Sequence, residues 1–176
     1  MANNPLKQQS PQTLEPWTSL DLFDQPGHLL RRAHQIALGV YADKVGQEVS
    51  PREYAILKMI HETPGIDQVS LSGLIGVDTS STALSAAKLA QRGLIKRSSS
   101  TKDKRQLSLT LTRKGLTWLH KTAQGVQSMK EVLMSSLDPK EQELFLDLLK
   151  KFVHINNSES RAPYISLKKE GATRLD

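Results

Sequence analysis

Residues 94–111 read LIKRSSSTKDKRQLSLTL, and the fold follows from how this stretch divides. Leu94-Ile95-Lys96-Arg97 has the apolar start and short length of a strand, and Leu107-Ser108-Leu109-Thr110-Leu111 alternates at the period of two that lets a strand bury one face. The two make a hairpin. Its connection, Ser98 to Gln106, carries Lys102, Lys104 and Arg105, more positive charge than closing a turn requires.

Upstream, Asp67 to Gly76 is short and periodic through Leu71, Leu74 and Ile75. Val77 and Asp78 follow, and the Asp78 carboxylate suits the start of a further helix through Arg92, which Gly93 ends. Two short helices joined by a tight turn near Gly76 outline a helix-turn-helix, and a basic hairpin directly after its second helix is a wing. Before this unit, Ser50-Pro51-Arg52-Glu53 forms a capping box with proline in the first turn, so a helix starts there and runs to about Thr63, where Pro64-Gly65 stops it. Pro26 to Val45 sets Leu30, Ala33, Ala37, Val40, Tyr41 and Val45 at helical spacing, and Ile36 and Leu38 widen the stripe, so this first helix is expected to touch two surfaces.

Downstream, Thr112 caps a long helix through Leu116, Leu119, Ala123, Val126, Met129 and Leu133, and Asp138-Pro139-Lys140-Glu141 opens another with a second capping box. Leu144, Phe145, Leu148, Leu149, Phe152, Val153 and Ile155 cover more than one face of that last helix. It packs either on its own domain or against a second subunit, and a helix-turn-helix offers too little surface for the first. The predicted class is mainly α with a small β wing: a winged helix-turn-helix at about 50–113, on a platform of dimerisation helices at about 17–46 and 113–156. The 17–156 domain is flanked by a disordered tail at 1–16 and a flexible tail at 157–176, both polar or aperiodic.

The 176 residues suffice for one domain with a dimerisation extension, and the net charge of +6 is unevenly spread. From Thr79 to Lys130 there are eleven Lys and Arg against the single acid Asp103, a balance of +10 that leaves −4 for the remainder. A basic block in a mildly acidic chain is the footprint of a polyanion-binding face. The absence of cysteine excludes disulfides, zinc fingers and thiol redox chemistry. No apolar run approaches the ~18 residues of a membrane helix and Met1 to Pro16 lacks the apolar core of a signal peptide, so a cytoplasmic location without membrane contact is expected. Nor is catalysis, metal or cofactor expected: there is no phosphate-binding glycine loop, and His61-Glu62 lacks the second histidine of a zinc-binding helix.

On these residues the chain resembles the MarR family of bacterial transcriptional regulators, over about Pro26 to Ile155. Asp103-Lys104-Arg105 followed by Leu109-Thr110-Leu111-Thr112-Arg113-Lys114-Gly115 is similar to the family's wing signature, an Asp-x-Arg and then a Leu-Thr-x-x-Gly that opens the dimerisation helix. Leu89 to Arg97 resembles its passage from recognition helix into wing. The resemblance implies a homodimer on a pseudo-palindromic operator in double-stranded DNA. It also implies Arg105 in the minor groove, with Asp103 holding it. Repression is the family's usual habit.

This chain departs from many relatives in its recognition helix, Thr79-Ser80-Ser81-Thr82-Ala83-Leu84-Ser85-Ala86-Ala87-Lys88, which carries no arginine. Readout then falls to hydroxyl and apolar groups: Ser80 and Ser81 for base edges or phosphates, Ala83 or Leu84 for thymine methyls, Lys88 for phosphate, with Thr79 at the start of the helix. Leu84 has a second reading, packing inside its own domain.

Pro26 to Gln35 resembles the first helix of members that control breakdown of aromatic carboxylates, nicotinate-type compounds among them. Such an acid needs an apolar slot, a cation and a group for a ring substituent. His28, Arg31, His34 and Tyr41 on the first helix, with Tyr54 and His61 on the second, are the candidates. Two rival functions use the same residues, a non-specific architectural DNA-binding protein and a helical adaptor that has lost DNA binding.

Overall fold

The computed structural model describes residues 21–99 and 107–165, and the chain divides into two units between Gly39 and Val40. The first unit opens with a 3-10 turn, Leu22–Asp24, capped by the Asp21 carboxylate, which accepts from the Phe23 N–H. Helix α1, Pro26–Lys44, follows within one residue of its expected span. Its Leu29, Leu30, Ile36 and Leu38 are all exposed. The last turns of α1, from Val40, belong to the second unit, where Tyr41 is buried and donates its hydroxyl to the Val49 carbonyl.

Local chemistry sets the boundaries in the second unit. Helix α2, Pro51–Glu62, begins at the capping box read from sequence: the Ser50 hydroxyl accepts from the Glu53 N–H, and the Glu53 carboxylate accepts from the Ser50 N–H. Helix α3, Gln68–Ile75, starts under Asp67, which accepts from the Val69 and Ser70 N–H groups, and stops at Gly76 in the left-handed conformation, φ +62°. Helix α4, Thr79–Gln91, is capped by Asp78. Strands β2, Ile95–Ser99, and β3, Leu107–Leu111, pair antiparallel from Ile95 opposite Leu111 to Ser99 opposite Leu107.

The structure adds a strand that the sequence reading lacked. Ile66–Asp67 forms β1, antiparallel to β3, with Ile66 opposite Leu109 in a sheet of order β1-β3-β2. Two residues carry no periodicity, and their pairing partner lies far along the chain. The core gathers under this sheet from α2 (Ile56, Leu57, Ile60), α3 (Leu71), α4 (Ala86, Leu89), β2 and β3 (Ile95, Leu109), and Trp118 and Leu119. The last two lie on α5, Arg113–Met134.

Helix α6, Pro139–Ile155, begins at the second capping box and buries none of its residues; Leu144, Phe145, Leu148, Leu149, Phe152, Val153 and Ile155 are all exposed. Packing on its own domain, the alternative left open by the sequence, is not what the chain does with this face. The first residues of the tail expected from residue 157 carry local structure. Asn157–Glu159 forms a 3-10 turn, and the Asn157 side chain accepts from the Tyr164 N–H and donates to the Tyr164 carbonyl, both at 2.9 Å. The Ile165 N–H then donates to Gly73 on α3. Such polar clamping has no period, which is why the sequence pattern hides it.

One junction ties the recognition unit to the long helix. The Thr112 hydroxyl donates to the Gly93 carbonyl at 2.7 Å and accepts from the Gly115 N–H, while the Thr112 N–H donates to the Leu94 carbonyl. The Lys114 ammonium donates to the Arg92 carbonyl at 2.9 Å, at the end of α4. A Cβ on Gly115 would overlap the Leu94 carbonyl oxygen, so the first turn of α5 approaches the chain this closely only with glycine. Gly115→Ala is therefore expected to cost ~2 kcal/mol or more, the range of backbone-displacing overpacking. Chemical denaturation checks it, and a loss within ~0.5 kcal/mol of zero would contradict the close approach.

Candidate nucleic-acid interface

The outward face of α4 is defined by what its inward face buries. Thr82, Ala86 and Leu89, spaced by four and three residues, are fully buried. The opposite side presents Ser80, Leu84, Lys88 and Gln91, all exposed, with Leu84 at 60%. Leu84 thus has no share in the core of its own domain, and a threonine takes the inner position. The Thr82 hydroxyl lies 3.5 Å from the Val77 carbonyl. Gln91 is an addition to the expected set: it sits seven residues beyond Leu84 on the same face, and its amide has the donor and acceptor that suit adenine.

Thr79 is exposed at the start of α4, whereas Ser81 and Ala83 are half-buried at its flanks. Ser81 serves the helix start, because its N–H donates to the Asp78 carboxylate at 2.8 Å. That bond and one from the Ser81 hydroxyl hold the Asp78 carboxyl below its ordinary range. For Asp67 burial pushes upward, but hydrogen bonds from the Ser70 hydroxyl and from the Ser70 and Val69 N–H groups outweigh it and leave the carboxyl lowered. Both helices of the pair therefore start under carboxylates that stay ionised.

In the hairpin, Lys96, Arg97, Ser98 and Ser99 are exposed on β2. Lys102, Asp103, Lys104 and Arg105 lie outside the described residues, between the paired Ser99 and Leu107. Not every cation of the block is available. Arg92 pairs with Glu48 at 3.5 Å and Glu53 at 4.0 Å, so it ties α4 to α2. Among the described residues, Lys88, Lys96 and Arg97 are in no ion pair.

The candidate effector residues are divided between the two units. In the first unit, Arg31 donates to Gln35 at 3.1 Å and lies 3.4 Å from the His28 ring, whose edge meets Phe23; His34 is exposed. In the second, Tyr41, Tyr54 and Trp118 form an edge-to-face row with centroids 6.5 and 6.4 Å apart. Burial, with Tyr54 and Glu53 nearby, pushes the Tyr41 phenol up to about 12. His61 stands apart from this row, exposed on a cleft beside Pro64 and Leu116.

A helix-turn-helix with an open outer face, followed by an antiparallel hairpin with exposed cations, defines a winged-helix DNA-binding protein. The profile of the MarR family matches residues 49–107. A protein of Thauera aromatica described as a "putative transcriptional regulatory protein for hcr operon" is 30% identical over 138 residues, 77% of this chain and 82% of that protein. The transcriptional regulator HosA of Escherichia coli O127:H6 is 29% identical over 127 residues, 72% of this chain and 93% of that protein. Among solved structures, the PcaV transcriptional regulator of Streptomyces coelicolor, crystallised with its natural ligand, superposes with a TM-score of 0.74 at 30% identity, covering 77% of this chain and 96% of that one. The chain belongs to the MarR family and is a DNA-binding transcriptional regulator. No helix among the described residues is long and apolar enough to cross a membrane.

The lowered carboxyls of Asp67 and Asp78 make the paired helices acid-sensitive in a definite direction. A depressed folded-state value gives stability that is present at neutral pH and lost as pH falls from the ordinary carboxylate range, ~4, downward. Asp67→Asn should flatten the fall of the unfolding midpoint below about pH 5. An acid limb identical to the parent's would contradict the capping account.

Proposed function

We propose that the chain is a homodimeric, sequence-specific repressor, released from DNA by a small aromatic acid of the hydroxynicotinate type. The observation that carries the DNA-reading part is the exposed Leu84 between Ser80 and Lys88, on a helix whose other side is fully buried. A hydroxyl, a branched apolar group that can contact a thymine methyl and a cation on one face suit readout of T-containing steps flanked by phosphate. Thr79, Ser81 and Ala83 flank that face. Lys102, Lys104 and Arg105, with Asp103 holding the arginine, supply the groove and phosphate contacts of the wing.

The unpartnered apolar face of α6 supports the dimer. Seven exposed large side chains on one helix are the pattern of a subunit interface. A regulator needs no catalytic group, and we read the protein as non-enzymatic and cytoplasmic. The effector reading rests on the residue chemistry of the first two helices and on PcaV, whose structure holds a natural ligand. His28, Arg31, His34, Tyr41, Tyr54 and His61 are its candidate contacts. Such an acid weakens DNA binding by favouring a dimer whose recognition helices are wrongly spaced.

Competition against random duplex tests the reading. The protein should hold DNA from its own promoter ~10³-fold above random sequence, with an affinity that falls steeply as salt rises. Equal affinity for both would favour an architectural binder, and no salt dependence would favour the adaptor. Leu84→Ala should leave the unfolding free energy within ~0.5 kcal/mol of the parent while costing about 1 kcal/mol or more of operator binding. Leu148→Asp should halve the hydrodynamic mass and lower operator affinity; a variant that stays dimeric would remove α6 from the interface.

A further inference from the structure

Past the end of α6 the chain turns back onto the helix-turn-helix. Asn157 grips Tyr164 from both sides: its side-chain oxygen accepts from the Tyr164 N–H and its side-chain nitrogen donates to the Tyr164 carbonyl, each at 2.9 Å. The Tyr164 hydroxyl lies 3.3 Å from the His154 ring nitrogen Nδ1, in the last turn of α6. So held, the segment delivers the Ile165 N–H to the Gly73 carbonyl at 2.6 Å. That carbonyl is among the last four of α3, which a helix leaves without an internal partner. Tyr164 also passes close over the turn into α4, where a Cβ on Gly76 would sit 3.3 Å from the Tyr164 Cβ.

We propose that residues 156–165 are a strap that positions the reading head, with Asn157 and Ile165 as positioning residues. By tying the α3–α4 pair to the far end of the dimerisation helix, the strap sets how far apart the two recognition helices stand, and so which half-site spacing the dimer accepts. The proposal rests on the homodimeric, sequence-specific reading above and adds to it the element that fixes the spacing.

Helix α6 is anchored at its start as well, because the Gln142 side-chain nitrogen donates to the Met134 and Leu137 carbonyls at 3.2 and 2.9 Å. Its 17 residues make a lever of about 25 Å, and between the two anchors none of them is buried. With the strap undone, the lever is free to swing about its first turn relative to the reading head. Packing does not replace the strap: a cleft of about 490 Å³ lies between Leu74 and Ile75 on one side and Phe152 and Val153 on the other. Duplex DNA is sensitive to such a swing, since each base pair added between half-sites moves one of them by about 3.4 Å and turns it by about 35°.

Gel shifts on the protein's own operator, with the spacer between half-sites lengthened or shortened by one or two base pairs, test the strap. The parent should lose ~10-fold or more in affinity on each altered spacer. Asn157→Ala, and Ile165→Pro, which removes the donating N–H, should level this profile to within ~3-fold, with circular dichroism and hydrodynamic mass as in the parent. A covalent lock gives the converse. The chain has no cysteine, and a Cβ on Gly73 would lie 3.6 Å from the Ile165 Cβ, inside the span of a disulfide. Gly73→Cys/Ile165→Cys should therefore oxidise to an intramolecular disulfide. Combined with Asn157→Ala, it should restore the narrow profile when oxidised and lose it on reduction. Parental profiles in both Asn157→Ala and Ile165→Pro, or a cysteine pair that does not close, overturn the strap and leave the dimeric reading standing. A parent indifferent to spacing overturns both.

Discussion

The backbone of Gly115 lies against the Leu94 carbonyl, and the rest of the molecule is arranged around that approach. It brings the first turn of α5 under the point where α4 gives way to β2, so the Thr112 hydroxyl reaches the Gly93 carbonyl and the Lys114 ammonium reaches that of Arg92. The carbonyls of Arg92, Gly93 and Leu94, the three residues that follow α4, are thereby claimed by a neighbouring element. The end of the recognition helix, the start of the wing and the long helix are joined at this one junction. A second close approach, Gly125 against the Lys44 carbonyl, fixes α5 against the end of α1 in the same way.

Charge is divided between holding and binding. Arg92 is spent on Glu48 and Glu53 and Lys114 on a carbonyl. Lys88, Lys96 and Arg97 stay exposed along α4 and β2. The net excess of the 79–130 segment therefore overstates the charge available to phosphate, and among the described residues Lys88 shares the outer face of α4 with Leu84. Under the proposed reading, affinity comes from the cations and discrimination from the side chains of α4, which need no desolvation of a buried charge.

Much of this was legible in the sequence because helix ends are written locally. Ser50 with Glu53, Asp78, and Asp138 with Glu141 each announce a helix within three residues, and each helix starts there. The hairpin was legible from alternation. What escaped depends on distant partners: β1, joined to β3 across forty-three residues by Ser108 and Gly65, and the clamp of Asn157 on Tyr164. The face of α4 was ambiguous for a different reason. Hydrophobicity favours burying Leu84, yet helical phase gives the inner position to Thr82, which bonds back toward the preceding turn.

The most direct measurement of the central claim is a hydroxyl-radical footprint on the protein's own promoter, combined with the binding stoichiometry. Two chains per site, protecting two patches with centres about one helical turn, ~10 bp, apart, is the result this arrangement of junction, wing and apolar helix requires. A single chain per site, or protection with no twofold pattern, would contradict it.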